Sequence, residues 1–230
     1  MNEIPFDVTV IRIVSAICML SLASIFDMWK REVHDILWIA FAFEAGLLIF
    51  LEPNTYEFLL TLGISLIIAP IAILFWRIGF FGGADAFCII VLSSLAPLLT
   101  ITHTMISPLT TLTNAAVLSA ILPLLNAGYN GFLLIRHKNI FDGFDESRKK
   151  KIIAMFLGRR VKNPKFGFSI ERKIKNFKKF DFTLHHAENF EFCNMPDTWI
   201  TQAMPYILYI TGGFIIQIFY GDILLKFLIG

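Results

Sequence analysis

Asp27 and Asp85 are the residues on which chemistry would turn. Asp27 closes the apolar stretch that begins at Val8, and Asp85 follows Gly82-Gly83-Ala84 at the mouth of another. A carboxylate costs about 2.5–3.5 kcal/mol at the centre of a membrane helix, so one near hydrocarbon marks a functional site or a local pairing. Two carboxylates held close cannot both ionise cheaply and share a proton. One then activates water as a general base while the other, protonated, polarises a carbonyl. That is hydrolysis by an aspartyl dyad, with neither metal nor covalent intermediate. The glycines suit it, because a turn without side chains lets a peptide backbone approach Asp85 and permits φ values that other residues resist. The apolar run from Ala86 puts Asp85 in a first helical turn, where the macrodipole stabilises negative charge against the cost of burial near lipid.

The elements that must position these acids are apolar and long. Of 230 residues 56% are hydrophobic, the mean hydropathy is +0.68, and the apolar residues come in blocks, which indicates an integral membrane protein. Roughly 20 such residues cross a bilayer core. Six spans are expected: Val8 to Phe26, Ile36 to Leu51, Phe58 to Phe81, Ala86 to Ile101, Ala115 to Ile135 and Trp199 to Tyr220. The second and fourth are short, and the second carries Glu44, so either can be tilted or partly re-entrant. Residues 1 to 7 hold Glu3 and Asp7 but no Lys or Arg, so the first span reads as retained rather than as a cleaved signal peptide. Cys18, Cys88 and Cys193 are far apart and indicate neither a disulfide framework nor a zinc knuckle.

Lys and Arg set the expected orientation. The segments before the first span, from Glu52 to Glu57 and from Thr102 to Asn114 contain none, so they are expected outside. The alternate segments hold Lys30 and Arg31, then Arg77, then a basic stretch from Arg136 to Asp197. Both termini then lie outside, and Asp27 and Asp85 fall at the same, cytoplasmic face.

That basic stretch carries 15 Lys or Arg against 8 Asp or Glu, a formal +7, which leaves the rest of the chain at −5. The expected division is therefore 1–136 for five spans and both acids, 137–197 for a cytoplasmic insert, and 198–230 for the last span. Glu146 to Leu157 suits an amphipathic helix, with Ile152, Ile153 and Phe156 apolar, Lys149 to Lys151 basic, and Gly158 as C-terminal cap. Phe166, Phe168 and Ile170 then alternate, as do Phe180, Phe182 and Leu184, with Phe190 and Phe192 as a third short run, which is the pattern of half-buried strands. The fold class expected is an α-helical membrane protein with a small α+β insert, built on an antiparallel sheet, before its last helix. The basic charge reads first as attraction to anionic lipid headgroups, with substrate recognition as the alternative.

Other residues have simpler readings. Lys30 and Arg31 are positive-inside anchors that could also support Asp27 electrostatically, and Asp35 is expected to cap the second span. Arg12 can snorkel to the outer face and is the nearest partner expected for Glu44. Pro70, Pro97 and Pro123 kink helices, and Asn126, Asn130 and Gln217 can hydrogen-bond between them. His137, His185, His186 and Cys193 lack ligand-type spacing and read as surface residues of the small sheet. No metal, cofactor or nucleic-acid partner is expected.

Gly82-Gly83-Ala84-Asp85 resembles the GxGD motif of membrane aspartyl peptidases, and Asp27 with Lys30-Arg31-Glu32-Val33 resembles the first-Asp motif of the type IV prepilin peptidase family. The six-span layout is also similar. Within that family, the small size and the basic insert before the last span are most similar to the archaeal preflagellin (archaellin) peptidases. The resemblance covers the membrane part, and the insert only by position and size. It implies a multi-pass peptidase with Asp27 and Asp85 as catalytic acids. Such an enzyme removes short basic leaders of class III signal sequences on the cytoplasmic side, cutting after a glycine. Preflagellins are the substrates implied, and type IV pilin-like precursors the alternative. Ala84 departs from the motif, which has glycine there, and would be penalised if that position required positive φ. The Tyr-Asp and Pro-Ala-Leu motifs of presenilin-like and signal-peptide-peptidase-like proteins are absent, as are the four-cysteine module and methyl-donor signature of bacterial prepilin peptidases. A different class remains open: a transporter or assembly factor whose acids bind a cation or proton, although no internal repeat relates the halves.

Overall fold

A computed structural model describes residues 8–97, 107–174, 177–183 and 191–229; Leu184, His185, His186 and Phe190, on which expectations were placed, lie outside them. The helices follow the apolar runs and break where proline dictates. Helices α1, Val8–Lys30, and α2, Asp35–Ile49, are uninterrupted. The third run divides into α3, Thr55–Ser65, and α4, Ile68–Arg77, because Pro70 has no N–H for the Leu66 carbonyl and its ring crowds that oxygen. Helix α5, Gly83–Leu95, stops as Pro97 drives Ala96 out of helical geometry, to φ −130° and ψ 64°. Helices α6, Ser107–Ser119, and α7, Ile121–Ile135, part four residues or fewer before Pro123, as α3 and α4 do before Pro70. Helices α8, Arg148–Leu157, α9, Tyr206–Tyr220, and α10, Ile223–Ile229, are the others among the described residues.

Among the described residues three apolar stretches are long enough to cross a membrane: Val8–Lys30, Thr55–Arg77 and Pro108–Ile135. Gly83–Leu95 and Tyr206–Tyr220 are apolar but shorter, reaching about 20 and 23 Å against a hydrocarbon core of about 30 Å. The last apolar run begins later than the sequence suggests, because Thr198–Gln202 is a strand.

The chain forms two compact units, Met1–Ser119 with Pro205–Gly230, and Ala120–Met204. In the first, Leu60, Ile64, Ile67 and Leu74 of the α3–α4 region are exposed, while Ala16, Ala23, Ala72 and Ala115 are fully buried. Large apolar residues such as Leu20, Ile89 and Phe214 are buried as well, and their appearance on the outer surface too is what lipid as solvent permits. A Cβ on Gly213 of α9 would lie 2.5 Å from the Thr111 carbonyl oxygen and 2.8 Å from the Ala115 nitrogen, so α6 and α9 pack backbone to backbone. Gln217 accepts from Thr111 Oγ1 between the same helices.

Arg12 corrects two expectations. It is buried rather than snorkelling, and its Nε binds Glu52 Oε1 at 2.7 Å. Its Nη1 donates to the Leu95 carbonyl at 3.2 Å, and its guanidinium lies 4.2 Å from the Phe58 ring centroid. Helices α1 and α2 fold about the 31–34 turn, which brings Arg12 level with residues beyond Glu44; Glu44 instead accepts from Ser15 Oγ. Similarly, the N-cap of α2 is His34, whose Nδ1 accepts from the Ile36 N–H at 3.3 Å, and Asp35 is the first helical residue.

The second unit has an aromatic core. Strand β5, Thr198–Gln202, is the centre of an antiparallel sheet between β1, Arg159–Val161, and β2, Gly167–Ser169. A separate hairpin pairs β3, Glu171–Ile174, with β4, Phe177–Phe180. Trp199 is fully buried, stacked on Phe141 at 5.3 Å, and its Nε1 donates to the Ile140 carbonyl at 3.1 Å. The expected alternation located Phe168 and Phe180 on strands but missed β1 and β5. Phe192 lies outside any strand and packs on Phe166 and Phe168. Gly158 ends α8 in an extended conformation rather than a left-handed one. A Cβ there would meet the Ile200 carbonyl oxygen at 2.2 Å, so glycine is needed for close approach of the sheet.

Candidate active site

Asp27 continues the buried stripe of α1. Leu20, Ala23 and Ser24 precede it at helical spacing and are buried, while Asp27 itself is half-buried in the last turn. The helix ends on Arg31 in a left-handed conformation, φ 59°, whose N–H donates to the Asp27 carbonyl at 3.1 Å. That closure leaves the Arg31 guanidinium within electrostatic reach of the Asp27 carboxylate. The carboxylate also interacts with the backbone N–H of Ile207, in the first turn of α9. Asp27 therefore lies at the negative end of its own helix but faces the positive end of another.

Asp85 reaches a helix N-terminus by a shorter route. It is in the first turn of α5, and its Oδ2 accepts the Gly82 N–H at 2.9 Å. This is one half of a capping box; glycine has no side chain to supply the other half. Gly82 has φ −74° and ψ 161°, an ordinary extended residue, so unusual φ is not what it contributes. A Cβ there would lie 3.4 Å from Asp85 Oδ2, so glycine leaves the carboxylate uncovered on that side. Gly83 and Ala84 are helical. The position where the motif has its second glycine needs no positive φ, and alanine fits without strain.

The turn that carries Asp85 is braced by rings. Gly79, at φ 82°, reverses the chain after α4, and the N–H groups of Phe80 and Phe81 both donate to the Phe75 carbonyl, at 2.9 and 3.3 Å. Phe81 packs edge-on against Phe75 at 5.3 Å and at a tilt of 34° against Tyr206 of α9 at 5.1 Å. The Tyr206 hydroxyl hydrogen-bonds Ser119 and lies within electrostatic reach of Asp85. On the α1 side, Ser24 and Thr211 of α9 share a hydrogen bond of 2.7 Å. The first turns of α9 thus touch both acid-bearing elements.

Cys88, fully buried one turn after Asp85, is within electrostatic reach of Asp85 and Asp27 alike. The two acids, far apart in sequence, converge on one side chain. Of the two basic residues expected to support Asp27, Arg31 faces it electrostatically; Lys30 is an exposed cation in the last turn of α1. Cys88 was detectable from its spacing to Asp85. Tyr206 and Ile207 gave no signal, because nothing local relates the start of the last apolar run to the acids. Two cavities, of about 320 Å³ beside Arg12 and Glu52 and about 520 Å³ beside Phe182 and Cys193, are lined by other residues. Among the described residues no group of three or more His, Cys, Asp or Glu is arranged to hold a metal ion.

No family model matches the chain. It is similar to the preflagellin peptidase of Methanocaldococcus jannaschii, 28% identical over 91% of this chain and 93% of that protein. The preflagellin peptidases of Methanococcus maripaludis and Methanococcus voltae are 26% and 27% identical, each over 91% of this chain and 95% of their own length.

Proposed function

We propose that this chain, whose relatives support its assignment to the preflagellin peptidase family, is an aspartyl endopeptidase that removes short basic leaders from preflagellin precursors. Asp27 and Asp85 are its catalytic acids. The observation that carries the reading is their convergence on Cys88, each carboxylate at a helix N-terminus. One carboxylate takes a proton from water, whose oxygen attacks the scissile carbonyl carbon. The other, protonated, donates to the carbonyl oxygen as charge develops there. The tetrahedral intermediate collapses by breaking the C–N bond, and the leaving nitrogen receives a proton from the dyad. Each acid is base and acid in turn, since a coupled pair titrates as a unit.

The wider arrangement proposed has six spans, both termini outside, and the dyad at the cytoplasmic face beside Lys30, Arg31 and Arg77. The distribution of Lys and Arg supports it. Gly82 leaves the approach to Asp85 open for a substrate backbone, and the leader is cut after its terminal glycine.

The test is incubation of the purified chain, in lipid, with a preflagellin precursor and with a type IV pilin-like precursor. Cleavage of the preflagellin after the leader glycine is expected, with slower or no cleavage of the pilin-like protein. Ion flux in proteoliposomes, with neither precursor cut, would replace the peptidase by a transporter.

A further inference from the structure

Helix α8 has the amphipathic pattern read from its sequence, but Ile152, Ile153 and Phe156 face outward rather than into the core. Those residues are 56%, 46% and 41% exposed, and Leu157 is 42% exposed, while Ala154 is the fully buried residue of the helix. The other half of α8 is equally unusual. It starts with Arg148, Lys149 and Lys150, cations placed where the helix macrodipole is positive and opposes them. Glu146 pairs with Lys150 at 3.2 Å and Lys151 lies 5.6 Å from the Phe141 ring centroid. Those two contacts engage Lys150 and Lys151, whereas Arg148 and Lys149, like the apolar residues, are exposed.

The place of α8 within its unit explains both. Asn130 of α7 donates to the Met155 and Gly158 carbonyls at 2.9 and 2.8 Å, satisfying acceptors that a helix C-terminus leaves open. The last turn of α8 is thereby fastened to α7. Helix α7 is the second half of the apolar stretch Pro108–Ile135, long enough to cross a membrane, and its Leu125, Phe132 and Ile135 are themselves exposed.

We infer that α8 is an interfacial helix that docks on anionic lipid. Ile152, Ile153, Phe156 and Leu157 enter the boundary between headgroups and acyl chains, and Arg148, Lys149 and Lys150 hold the phosphates of acidic headgroups. A short basic helix with an exposed apolar face has the composition for this task, and each cation near an anionic surface contributes about 1 kcal/mol. The inference rests on α7 lying in the membrane and is independent of the Asp27–Asp85 dyad.

The test uses the full chain with Cys18, Cys88 and Cys193 replaced and a fluorophore at Ile153→Cys, reconstituted in bilayers of phosphatidylcholine alone or with phosphatidylglycerol. Brominated acyl chains report contact with lipid, and aqueous iodide reports contact with water. Quenching by bromolipid should be strong with phosphatidylglycerol and weaken without it. Lys149→Gln and Lys150→Gln should each shift the balance toward the undocked form about fivefold. Iodide quenching without bromolipid quenching in both bilayers would overturn the inference. So would bromolipid quenching indifferent to phosphatidylglycerol, or protection that appears only as protein concentration rises and marks a second copy as the occupant.

Discussion

The interiors of the two units differ in how much polar material they hold. Inside the helical unit Arg12, Ser24, Thr111, Asn114 and Gln217 are buried and held by hydrogen bonds, among alanines and large apolar residues such as Leu20, Ile89 and Phe214, while Leu60, Ile64 and Phe219 face outward. Inside the second unit lie Trp199, Phe144, Phe180 and Ile170, with Lys149, Lys150 and Lys179 turned away from that core. Water rewards burial of apolar surface, and the second unit follows that rule. Lipid tails are as apolar as leucine, so in the first unit burial gains come from close packing and from polar groups finding each other. The exposed apolar residues of α7 and α8 are among those by which the second unit departs from the water rule.

The comparison can be broken first at the aromatic core. Trp199→Ala removes the side chain on which Phe141, Phe144 and Phe180 pack and should cost about 3–5 kcal/mol. Limited proteolysis should then cut within residues 120–204 and leave the helical unit protected; simultaneous loss of both would show that the interiors are not separate. Outward charge gives a smaller and more selective test. Ile64→Arg on α3 should cost about 2.5–3.5 kcal/mol of insertion, lowering the membrane-integrated fraction. Phe177→Lys on β4, equally exposed, should change stability within about 0.5 kcal/mol. Equal effects at the two sites would erase the difference in solvent.

The smallest effect is electrostatic and belongs to the second unit. Arg160 donates to both oxygens of Asp197, at 2.8 and 2.6 Å, and these bonds hold the carboxyl below the usual carboxylate range. A lowered folded pKa means that the pair stabilises above the unfolded Asp value and that this contribution is lost as pH falls through the folded one, from about pH 4 downward. Asp197 is more than half exposed, so the contribution is at most about 1 kcal/mol. Asp197→Asn keeps the left-handed backbone that Asp197 adopts, φ 53°, and should flatten the acid limb of a melting-temperature profile. An unchanged limb would assign it to other groups.

What was readable from the sequence follows from the range of each signal. Helices α1 and α5, the turn at Gly82 and the breaks near Pro70, Pro97 and Pro123 are local, and residue type and spacing display them. The Arg12–Glu52 pair and the contact of Ile207 with Asp27 depend on which helices are neighbours, which periodicity does not carry. Strand β5 was hidden because Trp199 and Ile200 are apolar enough to pass for the start of a span. The exposed face of α8 is undetermined for a related reason: an amphipathic pattern says that a helix lies at a boundary, not what lies on its apolar side. At the candidate site, Asp27, Asp85 and the glycines announced themselves by chemistry, whereas Tyr206 acts through a ring packed on Phe81, and any apolar residue at a helix start looks alike.

The central claim is that Asp27 and Asp85 form one catalytic pair. It is tested most directly by cleavage of a leader-bearing preflagellin by purified Asp27→Asn and Asp85→Asn variants, each first shown to insert in the membrane and to melt like the parent chain. Each substitution alone should abolish cleavage, because a lone acid cannot both activate water and polarise the carbonyl. Cleavage retained by either variant would contradict the pair.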